Sequence, residues 1–343
     1  MFEIKSVQAE QGDALFVTYG DSSKPRHILI DGGVAASLGN VLSVLEAART
    51  DGRLRLEAIV ITHYDDDHIQ GIVALLQTQP PWLEVVDIWF NGRKHIQSSD
   101  ILGTKDADTL TALIERAGHP WNAAFASSRI SNSKSAPVEL PGGLLVWIVS
   151  PDDQRLLELA NTWTDVVPPT DDSGPPQASD LLGRSDVWPL LPFPQFRDTP
   201  FSPDTSVPNG SSIGLMLEYD GKRALLTADA FASVVTDALL SHWPPPVVVD
   251  LLKVSHHGSK GNTDIALLRA LKCSRYLIST NGKKYAHPDQ ALVARIIVEH
   301  PGAEIIFNYT QPQTEQWLQA PAGWPSHTLT FPLKNEVYVE VSL

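Results

Sequence analysis

The run Thr62-His63-Tyr64-Asp65-Asp66-Asp67-His68 gathers residues that can do chemistry. His63, Asp65, Asp67 and His68 each offer a lone pair to a divalent cation. Carboxylates mixed with imidazoles suit Zn²⁺, Mn²⁺ or Fe²⁺ rather than an all-oxygen calcium cage or a thiolate site. The apolar stretch Leu56-Glu57-Ala58-Ile59-Val60-Ile61 comes directly before. It reads as a buried strand ending in a loop, where side chains can converge. The competing use of the same carboxylates is a solvated turn capping a helix from about His68, because negative side chains favour helix N-termini.

Four more stretches follow segments that read as strands, and loops at strand ends expose side chains from a fixed direction. Asp31 in Leu29-Ile30-Asp31-Gly32-Gly33 reads by itself as a turn. Asp229, ending Leu225-Leu226-Thr227-Ala228-Asp229, either caps the next helix or bridges two cations. In Ser255-His256-His257-Gly258-Ser259-Lys260, adjacent histidines point different ways, so one is expected as a ligand while the other orients it or meets substrate. His287, in Tyr285-Ala286-His287-Pro288, either enters a helix beside an N1 proline or donates a proton to a leaving oxygen.

The elements that must position these residues alternate between strand and helix. Strands are expected at 2–9, 14–19, 27–30, 56–61 and 85–90, with helices at 40–50, 68–78 and 107–117. A second series begins with a strand at 144–149. A hairpin then pairs 213–219 with 223–227 across Asp220-Gly221, a strong turn signal. Helices at 231–241, 263–271 and 289–298 alternate with strands at 247–254, 276–279 and 304–308, and strands at 327–331 and 337–341 finish the series. Between the two series, residues 151–208 hold 11 of the 26 prolines, with Trp188, Phe193, Phe196 and Phe201. Such a segment is not expected to hold a sheet or long helix. It reads as a disordered insertion or as a lid over the site.

The 343 residues fit one large domain, and 43% hydrophobic with 19% charged residues is an ordinary globular composition. No apolar stretch approaches the ~20 residues of a membrane span, and the first residues lack a signal-type core. Cys273, the single cysteine, excludes an intrachain disulfide. A cytoplasmic protein without membrane association is the expectation. The net charge of -14 argues against a broadly basic nucleic-acid surface. Residues 251–290 run against that trend, with seven basic side chains (Lys253, Lys260, Arg269, Lys272, Arg275, Lys283, Lys284) facing only Asp264 and Asp289.

In order, Leu-Ile-Asp-Gly-Gly, Thr-His-x-Asp-x-Asp-His, Leu-Leu-Thr-Ala-Asp, Val-Ser-His-His-Gly-Ser-Lys and Ala-His-Pro resemble the metallo-β-lactamase superfamily. The similarity is greatest to the branch containing the nuclease-like domain of ComEC-type DNA-uptake proteins. It runs from residue 1 to about 300, interrupted around 91–200. The resemblance implies an α+β fold: a four-layer αββα sandwich with metals at one edge, one domain over 1–343, and a Pro-rich insertion at about 151–208. It implies two divalent ions, Zn or Mn, with His63 and Asp65 serving one and Asp67 and His68 the other. Asp229 would bridge them, His256 or His257 would complete the second position, and Asp31 would hold a ligand by hydrogen bond. The family's usual third-motif histidine has no match; Asn209-Gly210-Ser211-Ser212 stands near its place.

Two such ions would lower the pKa of a bridging water and supply hydroxide at neutral pH, so hydrolysis is the expected reaction, with Asp67 catalytic as well as ligating. A phosphodiester gains most from nearby cations and donors. Asn209, Ser212, Ser259, Asn281, Lys283 and Lys284 are the candidates for binding it, with Lys260 and His287 as catalytic groups. A nuclease or phosphodiesterase, with DNA as a candidate partner, is therefore expected. The alternatives are a hydrolase of a small ester, lactone or phosphocholine-like molecule, which the acidic net charge favours, and a non-catalytic metal-binding module.

Overall fold

The computed structural model describes residues 1–96, 105–162, 200–319 and 323–343. In chain order its strands are β1 (Phe2–Val7), β2 (Leu15–Tyr19), β3 (Arg26–Ile30), β4 (Leu54–Val60), β5 (Leu83–Val85), β6 (Ile88–Trp89), β7 (Val138–Leu140), β8 (Leu144–Ser150), β9 (Gly214–Tyr219), β10 (Lys222–Leu226), β11 (Val247–Val248), β12 (Leu251–Lys253), β13 (Leu271–Lys272), β14 (Arg275–Ile278), β15 (Glu304–Phe307), β16 (Thr328–Thr330) and β17 (Tyr338–Ser342). One sheet has the order β17-β1-β2-β3-β4-β5, with β6 also on β4. The other has the order β16-β15-β14-β12-β10-β9-β8-β7.

Alternation along each strand builds the layers, because successive side chains point to opposite faces. Ile28 and Ile30 of β3 join Leu215 and Leu217 of β9 and Leu226 of β10 in a core between the sheets. Leu29 points the other way, into a cluster shared with Val41, Leu45, Ile69 and Ile72 of the helices Leu38–Ala47 and Asp66–Thr78. Met216 and Leu225 pack outward in the second sheet, against Val235, Leu268 and Leu292 of the helices Ala232–His242, Ile265–Ala270 and Gln290–Glu299. The result is helix, sheet, sheet, helix, the α+β sandwich expected.

Pairing sense decides where a site can form. β3 pairs parallel with β4, and β10, β12, β14 and β15 pair parallel in succession. Parallel neighbours end on the same side, so their carboxyl ends gather the loops after Ile30, Val60, Leu226, Lys253 and Ile278.

Three expectations change. The stretch at 85–90 divides into β5 and β6 because buried Asp87 turns the chain, accepting hydrogen bonds from Trp89 Nε1 and the backbone of Ala123 and Ala124. The stretch at 247–254 divides between two sheets, with β11 on β13 and β12 on β10. Residues 151–208 do hold a helix, Asp153–Thr162. No proline falls between Pro151 and Pro168, Asp152 caps the helix by accepting from the Arg155 amide at 2.7 Å, and Leu156 and Leu159 bury its inner face. Trp188, Phe193 and Phe196 lie outside the described residues, whereas Phe201 packs under the Arg295 guanidinium.

Candidate metal centre

Asp31 ends β3 with a left-handed backbone (φ 58°). Its carboxylate accepts from the Thr62 amide at 2.8 Å and the Thr62 hydroxyl at 2.7 Å, and it meets His68 Nδ1 at 2.8 Å. Gly32 after it and Gly71 on the helix Asp66–Thr78 permit this. A Cβ on Gly32 would lie 2.5 Å from the Ile72 amide nitrogen, and one on Gly71 would lie 1.9 Å from the Gly32 carbonyl oxygen. The loop and the helix Asp66–Thr78 therefore touch backbone to backbone, which brings His68 onto Asp31. The Ala228, His256 and His257 backbones are also left-handed (φ 47°, 50° and 51°). Each is a conformation costing about 1–2 kcal/mol in a residue with a Cβ.

These loops converge on Asp229. Its Oδ2 lies 3.5 Å from His68 Nε2, 3.7 Å from His257 Nε2, 3.8 Å from His256 Nε2 and 3.9 Å from His63 Nε2. His257 Nε2 is also 3.6 Å from Asp67 Oδ2, and His63 Nε2 is 3.6 Å from Asp65 Oδ2. The ligand atoms of His63, His68 and Asp229 lie within 4.8 Å of one another, as do those of Asp67, His68 and His257.

The far nitrogen of each ring sets its tautomer. His257 Nδ1 donates to the Ser279 carbonyl at 3.0 Å. His68 Nδ1 donates to Asp31, and His63 Nδ1 sits 3.1 Å from the Thr62 hydroxyl and 3.3 Å from that of Ser212. Among the described residues, the Nε2 atoms of His63, His68 and His257 and the Oδ1 of Asp229 are buried and meet no hydrogen-bond partner. Buried polar atoms are ordinarily paired. Imidazole lone pairs and carboxylates aimed at one another fit a divalent cation. In the metal-free chain a proton answers the same field. Burial alone would push His68 down, yet the Asp229 and Asp31 carboxylates outweigh it and hold its pKa well above the ordinary value. His256 is likewise raised to about 10, burial being outweighed by Asp229 and Asp204. Burial would raise Asp229, but the surrounding imidazoles hold it well below the usual carboxylate range.

Some residues expected to meet substrate lie behind the ligands instead. Ser212 is fully buried against His63 Nδ1. Buried Asn209 donates to Asp204 at 2.7 Å and sits 3.4 Å from His256 Nδ1. Asn281 donates to Glu10 at 2.6 Å and accepts from the Lys283 amide, so it shapes its loop. Ser259 accepts from the Gly261 amide. Lys283 is exposed. Lys284 lies over the Tyr285 ring; burial opposes its charge, but Tyr285, Asp67 and Asp66 raise its pKa. The His287 ring is 5.9 Å from that of His256, and its Nδ1 is 3.8 Å from Asp289 Oδ1. Asp289 Oδ2 accepts from the Lys260 amide. The basic stretch at 251–290 also disperses: Lys253 is buried on Asp13, Arg269 pairs with Glu299, and Arg275 donates to the backbone of Asp250 and Ser342.

Several residues of the cluster escaped the sequence analysis. Asp204 accepts from Asn262 Nδ2 at 2.8 Å, and Asn262 Oδ1 meets His256 Nδ1 at 3.0 Å. Asp13 lies under His257 and His68. Asn262 and Asp204 carry no spacing signal. Lys253 did carry one, because a lysine inside an apolar strand demands a buried partner.

Residues 9–102 match the model of the Metallo-beta-lactamase superfamily. The chain is 24% identical over 278 residues to ComE operon protein 3 of Bacillus subtilis (strain 168), covering 78% of this chain and 33% of that protein. It thus spans about a third of the relative's length. Among solved structures, the metallo-beta-lactamase fold protein YhfI from Bacillus subtilis aligns with a TM-score of 0.46 at 12% identity, covering 99% of this chain and 100% of that one. A diphosphatase from the PhnP family aligns with a TM-score of 0.41 at 12% identity, covering 99% and 98%. No helix among the described residues is long and apolar enough to cross a membrane.

Proposed function

We propose, for a chain that carries a metallo-beta-lactamase superfamily domain, a metal-dependent hydrolase acting as a phosphodiesterase, with flexible or single-stranded DNA as its polymeric substrate. The observation that carries the metal dependence is the convergence on Asp229, where three buried Nε2 atoms meet no hydrogen-bond partner among the described residues. We assign His63 and Asp65 to one cation, and Asp67, His68 and His257 to a second, with Asp229 between them. When bound, two ions of the Zn²⁺ or Mn²⁺ kind supply Lewis acidity and make water acidic enough to react at neutral pH.

The chain's own residues do the rest. Asp31 and the Ser279 carbonyl hold the Nδ1 protons of His68 and His257, leaving each Nε2 free to ligate. His256, braced by Asn262 and partly open to solvent, faces the reacting group. His287, whose Nδ1 lies 3.8 Å from Asp289 Oδ1, donates the proton to the leaving oxygen. Lys260, Lys283 and Lys284 stand on the loops beside these histidines and attract a phosphodiester. That basic rim favours phosphate over a neutral lactam or lactone.

The test is cleavage of bis(p-nitrophenyl) phosphate and of single-stranded DNA by chelator-stripped protein, with Mn²⁺ or Zn²⁺ restored. Cation-dependent cleavage of both is the expected result. Cleavage of an ester or lactone but of neither phosphodiester moves the assignment to small neutral substrates. Metal uptake without hydrolysis of any of them leaves a binding module.

A further inference from the structure

We propose that Asp13 and Lys253 are positioning residues, a buried ion pair that fixes His257 and thereby the strength of the cation site. The inference rests on His257 being a cation ligand, as assigned above.

Lys253 is completely buried in β12, at the middle of the second sheet. Asp13, buried in the loop between β1 and β2 of the first sheet, is its ion-pair partner and the only one among the described residues. The pair therefore spans the seam between the sheets directly below the histidines. Asp13 Oδ1 accepts from the Ser279 hydroxyl and lies 3.4 Å from His257 Nδ1. Ser279 thus touches Asp13 through its side chain and His257 through its carbonyl. The loop is also pinned to the ligand helix: the Asp13 amide donates to the Asp67 carbonyl at 3.2 Å, and a Cβ on Gly12 would fall 1.8 Å from that carbonyl oxygen.

Burying two full charges is expensive, and an apolar pair of similar volume commonly serves the fold as well or better. Lys253 lies two residues after Leu251, a member of the apolar core between the sheets, and so on the same face of β12; stability alone does not account for a charge there. The placement of the pair does. Held by Lys253, the Asp13 carboxylate lies beside the Nδ1 side of His257, which also donates to the Ser279 carbonyl. The ring proton stays on Nδ1, and the Nε2 lone pair stays aimed between Asp67 and Asp229. An outer partner of this kind typically governs metal affinity by 10–100-fold.

The experiment uses the full chain stripped by chelator. Zn²⁺ affinity is measured by calorimetry, the His257 tautomer by ¹⁵N imidazole NMR in the metal-free state, and thermal unfolding without metal. Asp13→Leu/Lys253→Met should melt within a few degrees of the wild type yet bind Zn²⁺ about 10–100-fold more weakly, with the single Nδ1–H tautomer of His257 lost. Wild-type affinity and tautomer in this variant would overturn the proposal. If the double variant fails to fold, Asp13→Asn decides. It keeps the size of the side chain but removes the charge that pairs with Lys253 beside His257 Nδ1, and it should weaken Zn²⁺ binding several-fold; wild-type affinity would overturn the proposal. His257→Ala separates the two readings. Wild-type affinity there removes the ligand assignment and this inference with it. Loss of affinity in His257→Ala, alongside intact affinity in the Asp13/Lys253 variant, removes this inference alone.

Discussion

His27 and His68 are both buried; the first sits at the start of β3, and the second, on the helix Asp66–Thr78, packs against its end. His27 lies at the start of β3, its ring stacked 5.0 Å from Phe16 and its Nδ1 3.0 Å from the Thr18 hydroxyl. Burial and the nearby Lys5 charge lower its pKa to about 4. His68 rests on Asp31, where β3 ends, and there two carboxylates reverse the effect of burial. The same side chain at the same depth is thus neutral at one end and cation-seeking at the other. Burial does not mark a site; what faces the buried group does. The backbone agrees, since left-handed non-glycine residues border the histidine cluster at Asp31, Ala228, His256 and His257.

Removing the carboxylate at the centre should erase this contrast. Asp229→Asn keeps the shape but removes the negative charge, and phosphodiester cleavage should fall by about 10³-fold or more, with bound metal well below one ion per chain. Elemental analysis and initial rates check this; a variant with normal metal and normal turnover would mean the cluster is merely a satisfied polar core. A smaller effect separates the two adjacent histidines. His257→Ala should lose cation affinity by about a hundredfold or more, whereas His256→Ala should keep its metal and lose about 10–100-fold in kcat/KM. Equal metal loss in both would make His256 a ligand too. Smaller again, Lys284→Ala should raise KM for DNA about 3–10-fold at low salt, with the difference shrinking as ionic strength screens the rim. An unchanged KM would take the phosphate-binding role from that loop.

The cation-seeking end was largely legible in the sequence, because its residues come in dense runs after apolar strands. His63, Asp65, Asp67 and His68 lie within one turn and its helix start, and Asp229 and His257 each follow a strand that pairs parallel to its neighbour. Parallel pairing is what brings such strand ends together, and the alternation of strand and helix is its signal in the sequence. What stayed hidden depends on contacts between distant segments. Asp13 and Lys253 are 240 positions apart, and nothing in spacing links them. Ser212 and Asn209 look like substrate residues because they stand near a familiar motif, yet their side chains turn inward to His63 and His256. Composition also misled at Asp153–Thr162, where a proline count taken over the whole segment concealed a proline-free helix at its start.

The smallest effect concerns the other end, and it appears in stability rather than catalysis. His27 in the folded chain has its pKa lowered to about 4, against ~6.5 when unfolded. Between those values the unfolded chain binds the extra proton, so stability rises with pH there. Above pH ~6.5 the residue contributes no slope. As pH falls through the window toward 4, stability is lost at up to ~1.4 kcal/mol per pH unit, about 2–3 kcal/mol in all. Other histidines titrate in the same range, His95 among them, with burial lowering its pKa to about 4 as well. The informative quantity is therefore a difference between two curves. His27→Gln retains a donor for the Thr18 hydroxyl and removes the titration, so its stability should fall less steeply than that of the wild type between pH 6.5 and pH 4. Denaturant unfolding of both metal-free proteins at several pH values measures this, and parallel curves would mean that His27 accepts its proton inside the fold. In that event the two ends of β3 would differ in their partners but not in their response to protons, and the carboxylates around His68 would no longer be what sets it apart.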